Sequence, residues 1–129
     1  MNTGHDGSLT TLHANTPRDA IARLETLVLM AGMDLPVRAI REQIASAIDI
    51  IVQQARLGDG SRKITHIEEV TGMEGDVITT QQIFAYKQEG IDPNTHKISG
   101  RFVASGFVPR FYEDLQAKGL PVNMAIFRE

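Results

Sequence analysis

Hydrophobic positions along this 129-residue chain fall into two spacings, one in the first third and another after it. Ile21, Leu24, Val28 and Ala31, with Leu27 on the same side, recur at helical spacing and predict an amphipathic helix. Its limits are marked chemically. Thr16 and Asp19 stand at capping-box spacing, Pro17 suits the first helical position, and Gly32 supplies a stop. Asp34 to Pro36 open a second helix, with Val37, Ile40, Ile44 and Ile48 along one face. The period then changes. Ile48 to Leu57 is a compact apolar run expected as a buried strand, and GDGSR turns the chain with hairpin chemistry. Lys63 to Val70 and Val77 to Tyr86 are expected strands separated by TGMEGD. The turn DPNT leads to another, Lys97 to Ser105. VPRFYEDLQAKG closes as a helix, with Val108, Phe111 and Leu115 inward and Gly119 at its end. Ahead of the first helix, Ser8 to Ala14 is β-prone and reads as a short strand with Leu9 and Leu12 to bury.

Composition narrows the class. Length suggests one domain, and 42% hydrophobic with 22% charged residues is ordinary for a globular protein. The net charge of −3 gives no basic footprint for nucleic acid. Zero cysteines exclude disulfides and thiolate metal sites. No apolar run approaches the roughly 20 residues of a membrane-spanning helix.

The most specific chemistry lies at the front, in NTGHDGSLTTLHANTP, residues 2–17. Gly4 and Gly7 let backbone approach a ligand closely. Ser8, Thr10 and Thr11 carry hydroxyl donors, and His5 and His13 can donate from either ring nitrogen. This set suits the sensing of a phosphate. The plainer alternative is a turn followed by a surface strand. If Ser8 to His13 is a strand, Thr11 and His13 share one face. The two histidines match no zinc-ligand pattern, and His66 and His96 lie in other segments.

TGHDGSLTTLHAN followed by PRDAIARLE resembles the histidine box of the ATPases that drive type II secretion, type IV pili and type IV secretion. Within that superfamily the chain looks most like the CpaF-like ATPases of tight-adherence (Flp) pilus assembly. AIREQIASAIDIIVQQARLGDGSRKITHIEEVTGMEGD, QQIFAYKQEG and GRFVASGFVPRFYEDLQAKG support that branch. The resemblance implies a RecA-like P-loop NTPase domain within a cytoplasmic homo-hexamer docked on an inner-membrane assembly platform, with ATP and Mg2+ as cofactors of the parent enzyme. Residues 1–129 would form the C-terminal portion of that domain, an α/β fold whose mixed sheet has an antiparallel meander and flanking helices. Carried over by position, the box comprises Thr3, Gly4, His5, Thr11 and His13. His13 is expected to face the γ-phosphate, and His5 to shape the loop or contact a neighbour.

The departure from the family pattern is large. The sequence contains no G-x-x-x-x-G-K-[ST], and GDGSRK at Gly58 places Arg62 rather than glycine before Lys63. The family's catalytic glutamate precedes the box, so this chain holds no catalytic residue. It is expected neither to turn over ATP nor to bind it tightly alone. Its partners would be the rest of the ATPase chain and neighbouring subunits, without nucleic acid. The chain thus reads as an interior piece of a larger enzyme, with an apolar surface left where the remainder packs. The alternative is a free-standing, non-enzymatic module that binds the motor or its platform.

Further candidates have structural readings. Adjacent Glu68 and Glu69 would face opposite sides of a strand and are expected on a solvated meander edge. Arg23 and Glu25 are expected in surface ion pairs, Met73 as a turn anchor, and Phe102, Phe107, Phe111 and Tyr112 as packing rather than a stacking platform.

Overall fold

The computed structural model describes residues 9–32 and 35–128. Two helices come first, α1 (Pro17–Met30) and α2 (Val37–Ala47). Four strands follow, β1 (Ile50–Arg56), β2 (Arg62–Glu74), β3 (Val77–Ile91) and β4 (Ile98–Ala104). A third helix, α3 (Arg110–Ala117), and a 3-10 turn over Met124–Phe127 end the described chain.

The strands form one sheet in the order β1-β2-β3-β4, with every pair antiparallel. This corrects the expectation of a mixed sheet. Short turns join successive strands, and such turns can only connect antiparallel neighbours. The expected strand Ser8 to Ala14 is absent over its described part, 9–14. β1 bonds to β2 instead, and Leu9 is wholly exposed, so neither a ladder nor burial holds that segment extended.

Helix limits follow the expected chemistry. The Thr16 hydroxyl accepts from the Asp19 N–H at 3.0 Å. Gly32 and Gly119 follow α1 and α3 with φ of +82° and +79°, a region costly for residues with a Cβ.

Ile21 of α1 and Ile40 and Ile44 of α2 pack with Val70 of β2 and Ile78 of β3 to form the core. Ile51 and Met73 join its margin. Met73 thus anchors a hairpin, as expected, but TGMEGD is not a separator. β2 continues through it to Glu74, shifting register between Val70 and Gly72, and only Gly75 and Asp76 turn. Thr71 and Thr79 share a hydroxyl hydrogen bond of 2.8 Å across this hairpin.

Val70 faces the helices α1 and α2, so its neighbour Glu69 faces the opposite side of the sheet. There Glu69 is 4% exposed, and its carboxylate accepts from the Arg110 N–H at 2.9 Å. The expectation of a solvated edge therefore fails for Glu69. β2 lies inside the sheet, and α3 covers this position. The residue before α3 is Pro109, which has no side-chain acceptor. Glu69 supplies the missing acceptor from 41 residues away, where a negative charge also suits the helix dipole.

The aromatic residues make ring contacts rather than a stacking platform, though Phe102 and Phe111 stay partly exposed. Phe84 lies 6.0 Å from Phe102 and 5.7 Å from Phe127, while Tyr112 meets Phe127 edge-on at 4.6 Å. Phe111, expected inward, is 38% exposed. Phe127 arrives from the tail and takes Tyr112, the next residue along α3, as its inward partner.

At one end the sheet divides. β2 and β3 pair from Glu74–Val77 only as far as His66–Ala85, whereas β1–β2 and β3–β4 each continue as separate hairpin arms. Asp59, in the β1–β2 turn, reconnects them. One carboxylate oxygen accepts from the Ser61 N–H, and the other accepts from the Ile98 N–H at 2.8 Å. The Ser61 hydroxyl, ahead of these two amides, draws the Asp59 pKa down to about 2.

Glu69→Ala leaves the Arg110 amide without its acceptor. It should destabilise the fold by about 1–3 kcal/mol, with Glu69→Gln milder, as read by urea denaturation. For Asp59 the sign is set by a folded pKa below its unfolded value. Its contribution is complete above about pH 4 and is lost as pH falls towards 2. The difference in denaturation midpoint between wild type and Asp59→Ala should therefore be constant near neutrality and shrink across that interval.

Candidate functional site

Residues 9–16 lead into α1 as an irregular segment. Leu9, Thr10, Thr11 and His13 are exposed, while Leu12 and Ala14 are half-buried. The segment lies beside β1, where the Gln53 side-chain amide donates to the Ala14 carbonyl at 2.9 Å. Ala14 is therefore tied to the sheet, and Thr16 fixes the start of α1 two residues later. Between these restraints and Leu9, the Thr11 hydroxyl and His13 imidazole meet solvent. His13 is three residues ahead of the Thr16 cap, close to the positive end of the α1 dipole.

Thr11 and His13 thus lie on one short stretch with their donors uncovered. Thr3, Gly4 and His5 lie outside the described residues. His66 is placed elsewhere, on β2 with its Nδ1 3.0 Å from the Thr65 hydroxyl, and His96 has φ +58° in the β3–β4 turn. Among the described residues no group of three or more histidine, aspartate or glutamate side chains could hold a metal ion. Thr11 and His13 leave a hydroxyl and an imidazole open to solvent on this stretch.

Elsewhere a charged bracket joins three elements. Arg41 of α2 pairs with Glu25 of α1 at 2.9 Å, and its other arm donates to the Asp76 carbonyl in the β2–β3 turn at 2.9 Å. Arg38 extends the bracket to the Asp76 carboxylate at 3.3 Å and to Glu42 at 3.2 Å. Glu25 is partly buried, so its pair departs from the exposed ion pair expected for it. Sequence pattern did not single out Arg41 or Gln53, and it placed Glu69 on a solvated edge. Glu69 had a readable signal in Pro109, which begins a helix and cannot cap it with its side chain. Arg41 and Gln53 have long-range partners that no local spacing reveals.

The type II/IV secretion system protein family model matches residues 1–115, nearly the whole chain and all of this segment. The chain belongs to that family. Its curated relatives include a putative conjugal transfer protein of Mycobacterium tuberculosis, 36% identical over 77 residues, which are 60% of this chain and 21% of the relative. The conjugal transfer protein TrbB of Rhizobium radiobacter is 44% identical over 69 residues, 52% of this chain and 20% of its own. The type IV secretion system protein VirB11 of Bartonella quintana is 44% identical over 69 residues, 52% of this chain and 19% of its own. This member of the family therefore spans about a fifth of the length of the relatives it matches. No helix among its described residues is long and apolar enough to cross a membrane.

In this secretion-family chain the Arg41 bracket is a stability element. Arg41→Ala should lower stability by about 1–3 kcal/mol, because it leaves the half-buried Glu25 carboxylate without its partner. A double-mutant cycle with Glu25→Gln, followed by thermal unfolding, should show coupling between the two sites.

Proposed function

We propose that this chain is the C-terminal segment of a secretion motor ATPase, and that it presents a terminal-phosphate sensor to a nucleotide held by the rest of the enzyme. The family match over residues 1–115 carries this reading. His13 and Thr11 are its sensing groups, with Thr3, Gly4 and His5 completing the box. The imidazole and hydroxyl donate to phosphate oxygens, and the Thr16-capped start of α1 adds a favourable field. Residues outside this chain supply the P-loop, the catalytic glutamate and the Mg2+-binding hydroxyl. ATP and Mg2+ belong to the parent enzyme.

The parent is a cytoplasmic RecA-like hexamer that works against an inner-membrane platform and couples ATP hydrolysis to pilus assembly or protein secretion. Within the family we place it in the tight-adherence branch. The stretches QQIFAYKQEG and GRFVASGFVPRFYEDLQAKG support that choice. The exposure of His13 and Thr11 agrees with a site completed from outside this chain.

Titration of this chain with Mg2+-ATP should show neither submillimolar binding nor phosphate release. In the full-length ATPase carrying it, His13→Ala should reduce turnover by about 100-fold or more while changing nucleotide affinity little, as expected for a contact made chiefly in the transition state. Tight binding by this chain alone, lost on His13→Ala, would overturn the proposal in favour of a self-contained nucleotide site.

A further inference from the structure

Opposite faces of the sheet carry two uncovered surfaces of complementary chemistry. On the α1/α2 face, a groove of about 270 Å3 runs between the helices and the start of β3. Ile21, Ala22, Val77 and Ile78 contribute its apolar lining, and Arg18, Arg41 and Glu25 line it too. Val77 is 52% exposed there. Arg41 is already engaged by Glu25 and the Asp76 carbonyl. Arg18 is exposed and makes no hydrogen bond or ion pair with any described residue. The groove therefore offers apolar area together with an unmatched positive charge.

The α3 face offers the converse. α3 has no buried residue, and Phe111 is more than a third exposed. Glu113 and Asp114 are exposed and form no ion pair with a described residue. Phe111 and Asp114 are three apart, so ring and carboxylate lie on one side of the helix.

We propose that a second copy of this chain docks its α3 into the groove, with the partner's Phe111 against the apolar lining and the partner's Asp114 paired with Arg18. Charge complementarity selects this occupant, because the same chain displays both halves. Glu69 holds α3 on the face of the sheet opposite α1 and α2, so α3 does not reach the groove of its own molecule. The contact is consequently head-to-tail between unlike surfaces, the type that propagates around a ring or along a filament. This rests on the assembly of subunits proposed above and names the surfaces that meet.

Sedimentation of this chain over a concentration series, without nucleotide, tests the contact. Wild type should associate reversibly. Arg18→Glu and Asp114→Arg should each weaken association by about tenfold or more, equivalent to about 1.4 kcal/mol. The double variant, or a mixture of the two single variants, should restore association to within about threefold of wild type. Phe111→Ala should weaken association with no charge rescue. Arg18 and Asp114 are exposed, so the thermal midpoints of the charge variants should stay near that of wild type, which separates docking from folding. A chain that remains monomeric throughout overturns the proposal. So does association indifferent to both charge reversals, which would point to another surface such as the open edge of β1, or a double variant that restores nothing. Failure of the phosphate-sensor proposal leaves these results unchanged, because no nucleotide enters the measurement.

Discussion

The arrangement of this molecule depends on the carboxylate of Glu69. Taking a carboxylate out of water is expensive unless hydrogen bonds replace the lost hydration. Here the start of α3 supplies one, and the Arg110 guanidinium adds a longer contact at 3.8 Å. The exchange works in both directions, because α3 begins with amides that its own proline cannot satisfy. Val70, the next residue, sits in the apolar core with α1 and α2. Two successive residues of a central strand therefore decide what covers each side of the sheet. One does so by burial and the other by a hydrogen bond.

Local periodicity made most of the elements legible. Ile21, Leu24 and Val28 repeat at helical spacing with Thr16 as cap, and α1 appears within a residue of its expected limits. The turns at Asp59 and Asp92 were equally readable, because aspartate satisfies backbone amides two or three residues ahead. Non-local features were hidden. β2 continues through Gly72 because β3 supplies a ladder, and the chemistry of TGMEGD alone suggests a break. Ser8 to Ala14 has strand composition, yet composition forms no strand without a neighbour. Phe111 looked like the inward residue of α3 until Phe127, from a tail without helical periodicity, engaged Tyr112.

The candidate site was legible in its residue types more than in its geometry. Histidine, threonine and glycine at one spacing drew attention to residues 3–13, and the family match includes them. Their surroundings were not readable. Gln53 gave no sign of reaching Ala14, and Arg41 gave no sign of linking α1 to a turn 35 residues further along. Such links are what connect residues 9–16 to the remainder of the fold. Ala14 is attached to β1, α1 starts at the cap that follows, and Glu25 on α1 meets the bracket from α2.

The divided sheet has a mechanical consequence. A load applied at the hairpin tips has two routes into the body of the molecule. One passes along the strands to the last shared rung at His66 and Ala85, below which β2 and β3 carry it together. The other crosses at the tips through Asp59 and Ile98, far from the core. With the crossing intact the two arms act as a closed frame that resists splaying. With it broken, the hydrogen bond that passes load from one arm to the other is lost, and more of that load falls on the shared rung at His66 and Ala85. One side chain in a surface turn thereby stiffens this end of the sheet against splaying.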